Sequence, residues 1–118
     1  MKDSLPFEEP ANDAALGPFD ILRSTPEGTA PASPLIFASP HSGRVYPDEM
    51  MAASALDAAE IRKSEDAYVD ALITGGADYG AAVLTNRYAR AYVDVNREPY
   101  ELDPGMFEDE LPAFAIAR

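Results

Sequence analysis

The run Leu35-Ile36-Phe37-Ala38-Ser39, broken at once by Pro40-His41-Ser42-Gly43, constrains the fold of this chain more than any other stretch. A continuous apolar run of that length predicts a strand buried on both faces. Proline lacks the N–H that a central ladder needs, and glycine allows a tight backbone path, so the strand ends at Pro40. His41 is thereby placed just past the C-terminal end of a strand. In open α/β sheets, ligands bind at that edge.

The rest of the pattern supplies the strand's neighbours. Phe19-Asp20-Ile21-Leu22 is a second, shorter β-like run, and the Pro- and Gly-rich residues 25–34 form the loop between the two. These strands are expected to pair with each other. Residues 47–53 predict one or two helical turns. Ser54-Ala55-Leu56-Asp57 matches an S-x-x-D capping pattern, with Ser54 placed to accept from the first turn. In residues 55–73, Ile61, Tyr68 and Leu72 follow helical spacing, as one helix or two, stopped by Gly75-Gly76. Ala81-Ala82-Val83-Leu84-Thr85 predicts another strand. Arg90-Ala91-Tyr92-Val93-Asp94-Val95 predicts a last one, antiparallel to it across a short link. Strand, helix, strand, strand predicts a mixed α/β sheet. Residues 1–18, with three prolines, predict an extended arm, which leaves 19–118 as one domain with an irregular tail from Glu98 onward.

Charge narrows the partners. Nine basic against 21 acidic residues give a net charge of -12, a field that repels phosphate backbones and argues against nucleic acid or an anionic membrane. The absence of cysteine excludes disulfides, thiolate-ligated zinc and a thiol nucleophile. The first ten residues have no apolar leader stretch and no run approaches bilayer-spanning length, so the cytoplasm is the expected compartment.

Three places could carry chemistry. His41 is the one histidine, and a neutral imidazole at a strand tip can bind a metal, act as a base or be structural. Asp66 and Asp70 are four apart, on one face if the segment is helical. They read either as a solvated acidic face partnered by Arg62 and Lys63, or with Asp66 as an oxygen ligand to a metal held by His41. Asn96 and Arg97 end the last strand and can grip a carboxylate, Arg97 bidentately, with Arg90 as a second positive centre. Alternatively, Arg97 pairs with Glu98 or Glu101. Asp94 is expected to anchor a neighbouring arginine or a backbone donor.

Taken in order, Ser39-Pro40-His41-Ser42-Gly43-Arg44-Val45-Tyr46-Pro47, Ser64-Glu65-Asp66-Ala67-Tyr68-Val69-Asp70-Ala71-Leu72 and Arg90-Ala91-Tyr92-Val93-Asp94-Val95-Asn96-Arg97-Glu98-Pro99 resemble the N-formylglutamate amidohydrolase family. The resemblance runs over residues 35–107. It implies a three-layer α/β/α fold with a mixed sheet, akin to zinc exopeptidases and the aspartoacylase group. It also implies hydrolysis of an N-acyl amide on an acidic amino acid, such as N-formylglutamate, with a place in histidine degradation. His41 and Asp66 become ligands of Zn2+ or another divalent metal, Asn96 and Arg97 the grip on the substrate's carboxylate, and Arg90 the residue that polarises the scissile carbonyl. The family's second histidine ligand and general-base glutamate lie further along, and this sequence has no other histidine. The expectation is therefore a partial domain, truncated before those groups. A non-catalytic acidic α/β binding module, or another zinc acylase or peptidase of the same fold group, is the alternative.

Overall fold

The computed structural model describes residues 17–117, so residues 1–16 of the expected arm lie outside the described residues. Strands β1 (Phe19–Leu22), β2 (Ile36–Ser39) and β3 (Ala82–Asn86) form a sheet in the order β1-β3-β2. β3 is antiparallel to β1 and parallel to β2. The sheet is mixed, as the pattern implied, but β1 and β2 are not neighbours. β3 lies between them because its central position buries Val83 completely, and Arg87 just beyond it pairs with Asp20 on β1.

Between β2 and β3 the chain makes three short helices, α1 (Asp48–Ala53), α2 (Ala58–Ile61) and α3 (Val69–Ile73), with single 3₁₀ segments at Arg62–Ser64 and Thr74–Tyr79. The helical spacing of residues 55–73 thus resolves into two helices. Asp57, not Ser54, caps α2: its carboxylate accepts from the N–H of Ala59 and Glu60, both at 2.8 Å, while the Ser54 hydroxyl bonds to Leu56. A carboxylate directly before the first turn reaches two orphan N–H groups and adds a favourable charge there. Gly75-Gly76 do not stop the helical path. It continues to Gly80, whose φ of +83° ends it in the left-handed conformation.

The helices cover one face of the sheet. Phe37 packs there against Gly76, where a Cβ would meet its ring at 2.7 Å, and Val83 and Ser39 are buried on the same side. On the other face Phe19, Ile21, Ile36 and Leu84 remain between 39% and 72% exposed. β2 is therefore covered on one side, not two, and on the covered side Ser39 is buried while Phe37 stays 39% exposed. The sheet and one helical layer are what the described residues supply of an α/β domain, and the molecule is correspondingly flat, 50 × 47 × 23 Å.

Residues 90–95 are not a strand. The Ala89 carbonyl accepts from the N–H of Tyr92 (2.9 Å) and Val93 (3.2 Å), which closes a turn, and no partner strand pairs with this segment among the described residues. The tail is mostly irregular, with a minimal parallel pair of β4 (Glu101–Leu102) and β5 (Ile116–Ala117).

Candidate active site

The loop after β2 is held down from several directions. The Asn86 side-chain amide donates to the carbonyls of Pro40 (3.3 Å) and Tyr88 (2.8 Å). Val45 N–H donates to Arg87 at 2.9 Å, and Ala89 N–H donates to Val45 at 3.0 Å, so the loop runs parallel beside the chain leaving β3. Gly43 makes this approach possible, since its α-carbon faces the backbone of residues 87 and 88 directly. Beneath it the buried hydroxyls of Ser39 and Ser42 share a 2.5 Å hydrogen bond. His41 is thus fixed at the carboxyl end of a strand with its side chain only 13% exposed.

Two carboxylates face its ring. Nε2 lies 2.7 Å from Asp94 Oδ1, and Nδ1 lies 3.4 Å from Asp66 Oδ2. An ionised carboxylate only accepts, so the short contact assigns the proton to Nε2. In the neutral ring Nδ1 then carries a bare lone pair aimed at Asp66, at a distance beyond a normal N–H···O bond. The two expected ligands do converge. Asp66 is not on a helical face with Asp70, because it lies in the extended break before α3, where its N–H donates to the His41 carbonyl at 3.0 Å.

Asp94 is the hub of the site. Besides His41, it accepts from Arg90 Nη2 at 3.0 Å and from the Asn96 N–H at 3.0 Å, with Arg97 Nε at 3.7 Å. Burial alone would push its carboxyl pKa up. The His41 hydrogen bond, then the Asn96 N–H and the charges of His41 and Arg90, outweigh burial and bring it below the ordinary aspartate value. The arginine and the backbone donor were legible in the sequence. His41, 53 residues away, was not, since no local pattern links a strand tip to a turn that distant.

Arg97 also donates through Nη1 to Glu101 at 3.0 Å, one of the two pairings open from the sequence. Asn96 is exposed and helps line a cavity of about 640 Å³ on the open sheet face, otherwise walled mainly by Phe19, Ile21, Ala38 and Leu84. Glu65, next to Asp66, turns away: Tyr46 Oη donates to it at 2.6 Å and Arg62 Nε at 3.1 Å.

The His41–Asp66 pair has the spacing of two zinc ligands. Two ligands of a tetrahedral zinc with bonds of about 2.0–2.1 Å sit ~3.3 Å apart, close to the 3.4 Å between Nδ1 and Asp66 Oδ2. Metal-bound histidines characteristically donate their other N–H to a carboxylate, as His41 does to Asp94. The pair fits two positions of such an ion. Among the described residues, no group of three or more His, Cys, Asp or Glu side chains is arranged to hold one. Nor is any described helix long and apolar enough to cross a membrane.

Comparison with known proteins agrees with the motif order. The family model for N-formylglutamate amidohydrolase matches residues 33–115. The crystal structure of an N-formylglutamate amidohydrolase from Ralstonia eutropha JMP134 superposes with a TM-score of 0.67 at 33% identity, over 85% of this chain. The chain spans 35% of the length of that protein. Among curated proteins, none matches.

Proposed function

Because the chain belongs to the N-formylglutamate amidohydrolase family, we propose that it supplies the strand-tip half of a metal-dependent site hydrolysing an N-acyl amide on an acidic amino acid, N-formylglutamate first among candidates. The observation that carries this reading is the convergence of His41 Nδ1 and Asp66 Oδ2, with Asp94 behind the ring. These two side chains would hold Zn2+ or another divalent cation. Bound there, the cation would lower the pKa of a water toward neutrality and polarise the amide carbonyl.

The chain's own residues do the rest of the positioning. Asp94 keeps the His41 proton on Nε2 and so keeps Nδ1 bare. Arg97 and Asn96 grip the substrate's α-carboxylate, Arg97 exchanging the Glu101 carboxylate for the ligand's. Arg90, anchored 3.0 Å from Asp94, offsets charge that develops on the amide oxygen. In a molecule of net charge -12, the guanidinium pair also gives an anionic substrate a local place to land. A catalytic zinc takes three protein ligands. We assign the third ligand and the general base to groups outside the described residues, within the three-layer zinc-exopeptidase-like fold that the family resemblance implies. The setting remains a cytoplasmic enzyme of histidine degradation acting on a small molecule.

One observation favours the second reading, a non-catalytic module: Arg97 is already paired with Glu101. Calorimetric titration with zinc separates the two. The metal reading expects one site, lost in His41→Ala and Asp66→Asn. Zinc uptake indifferent to both substitutions would remove its basis.

A further inference from the structure

The proposed ligands sit on two short segments, residues 41–46 and 65–70, and neither is part of a long rigid element. α2 has four residues and α3 five, too short to hold their own geometry in water. What fixes Asp66 relative to His41 must therefore be contacts between the segments. There are three. The Asp66 N–H donates to the His41 carbonyl at 3.0 Å, Tyr46 Oη donates to Glu65 at 2.6 Å, and Arg44 Nη2 donates to Asp70 Oδ2 at 2.7 Å.

The last contact has features that the other two lack. The Arg44 guanidinium also lies 5.8 Å from the centroid of the Tyr68 ring, within cation–π range. Tyr68 is the only non-glycine residue with positive φ among those described, at 65°. A tyrosine does not adopt that conformation without compensation. This reversal lets Asp66, two residues before Tyr68, face His41 while Asp70, two residues after it, faces Arg44. Asp70 Oδ1 is buried with no hydrogen-bond partner among the described residues, so Arg44 is the counter-charge that makes this partly buried carboxylate tolerable.

We propose that Arg44 is a positioning residue: by clasping Asp70 and the Tyr68 ring it holds the 65–70 turn against the strand-tip loop, and so sets the separation of His41 and Asp66. The proposal rests on the metal reading of those two residues, but the clasp itself does not require a metal.

The experiment uses the 118-residue chain and the variants Arg44→Gln, Arg44→Lys and Asp70→Asn. The first readout is metal-free, the hydrogen-exchange rate of the Asp66 amide. The second is cobalt(II) affinity, from the visible d–d absorption. Arg44→Gln and Asp70→Asn are expected to expose the Asp66 amide to faster exchange and to weaken cobalt about tenfold or more, while amides of β3 keep their protection. Arg44→Lys restores the charge but not the planar fork, and recovers part of both. Unchanged Asp66 exchange in Arg44→Gln and Asp70→Asn overturns the clasp. So does faster exchange with cobalt affinity held within about twofold of the unsubstituted chain. If the unsubstituted chain takes no cobalt, the metal assignment fails separately and Asp66 exchange alone decides the clasp.

Discussion

Substituting Gly43 by alanine tests how tightly the histidine loop is built onto β3. An added Cβ would lie 2.1 Å from the Tyr88 carbonyl oxygen, 2.6 Å from its carbon and 2.7 Å from the Arg87 carbonyl carbon. All three are backbone atoms, so no side chain can swing aside. The loop must recede by about 1 Å to reach even the shortest contacts real side chains make. That movement breaks the Val45–Arg87 and Ala89–Val45 hydrogen bonds, now 2.9 and 3.0 Å, and loosens the Asn86 bridge. Ala89 is fully buried, so its freed N–H finds no water. At about 1–3 kcal/mol for each orphaned group, the loss is about 3–5 kcal/mol. Net stabilities of about 5–15 kcal/mol make that a large fraction. Urea unfolding followed by circular dichroism measures it, with Gly75→Ala as the control. A Cβ on Gly75 meets nothing within 4 Å and its φ is not positive, so alanine there is expected to be neutral or mildly stabilising. If Gly43→Ala costs less than about 1 kcal/mol, the described apposition of the two backbones is wrong.

The Asp94 carboxyl is held below the ordinary aspartate range in the folded chain, so its stabilising contribution is present above the unfolded value of about 3.9 and is lost as pH falls through the folded one. Asp94→Asn should therefore lower stability at neutral pH and flatten the acid limb of a stability–pH curve; an unaltered acid limb would contradict the assignment. Val83→Ala, at a fully buried position on the central strand, is expected to cost about 2 kcal/mol in the same urea assay, and a negligible cost would mean that β3 is not central. Ile36→Thr, on the open face at 72% exposure, is expected to change stability by less than about 0.5 kcal/mol and to reduce aggregation measured by light scattering. A large loss there would show that the face is covered.

The strands β1, β2 and β3 were legible because each is an apolar run bounded by breakers, and a strand needs little more to be seen. Their order was not. Adjacency in sequence suggests that β1 pairs with β2, whereas burial of Val83 requires β3 between them. Residues 90–95 alternate like a strand, yet the Ala89 carbonyl and the Asp94 carboxylate capture the N–H groups of Tyr92, Val93 and Asn96 locally. Val93 and Val95, half exposed, have no packing that would pull the segment straight. At the site, the motif order pointed to His41 and Asp66 as partners. The Asp94–His41 bond and the Arg44–Asp70 clasp join residues 53 and 26 apart, distances at which periodicity carries no information.

The central claim is that His41 offers a bare Nδ1 to a cation shared with Asp66 while Asp94 holds the opposite nitrogen. Long-range 1H–15N correlation of the imidazole tests it directly, because the chain has one histidine and the ring signals need no further assignment. In its neutral form the ring is expected as the Nε2–H tautomer, with a shift at Nδ1 on adding zinc that is lost in Asp66→Asn. A ring protonated on Nδ1, or a zinc response at Nε2, would contradict it.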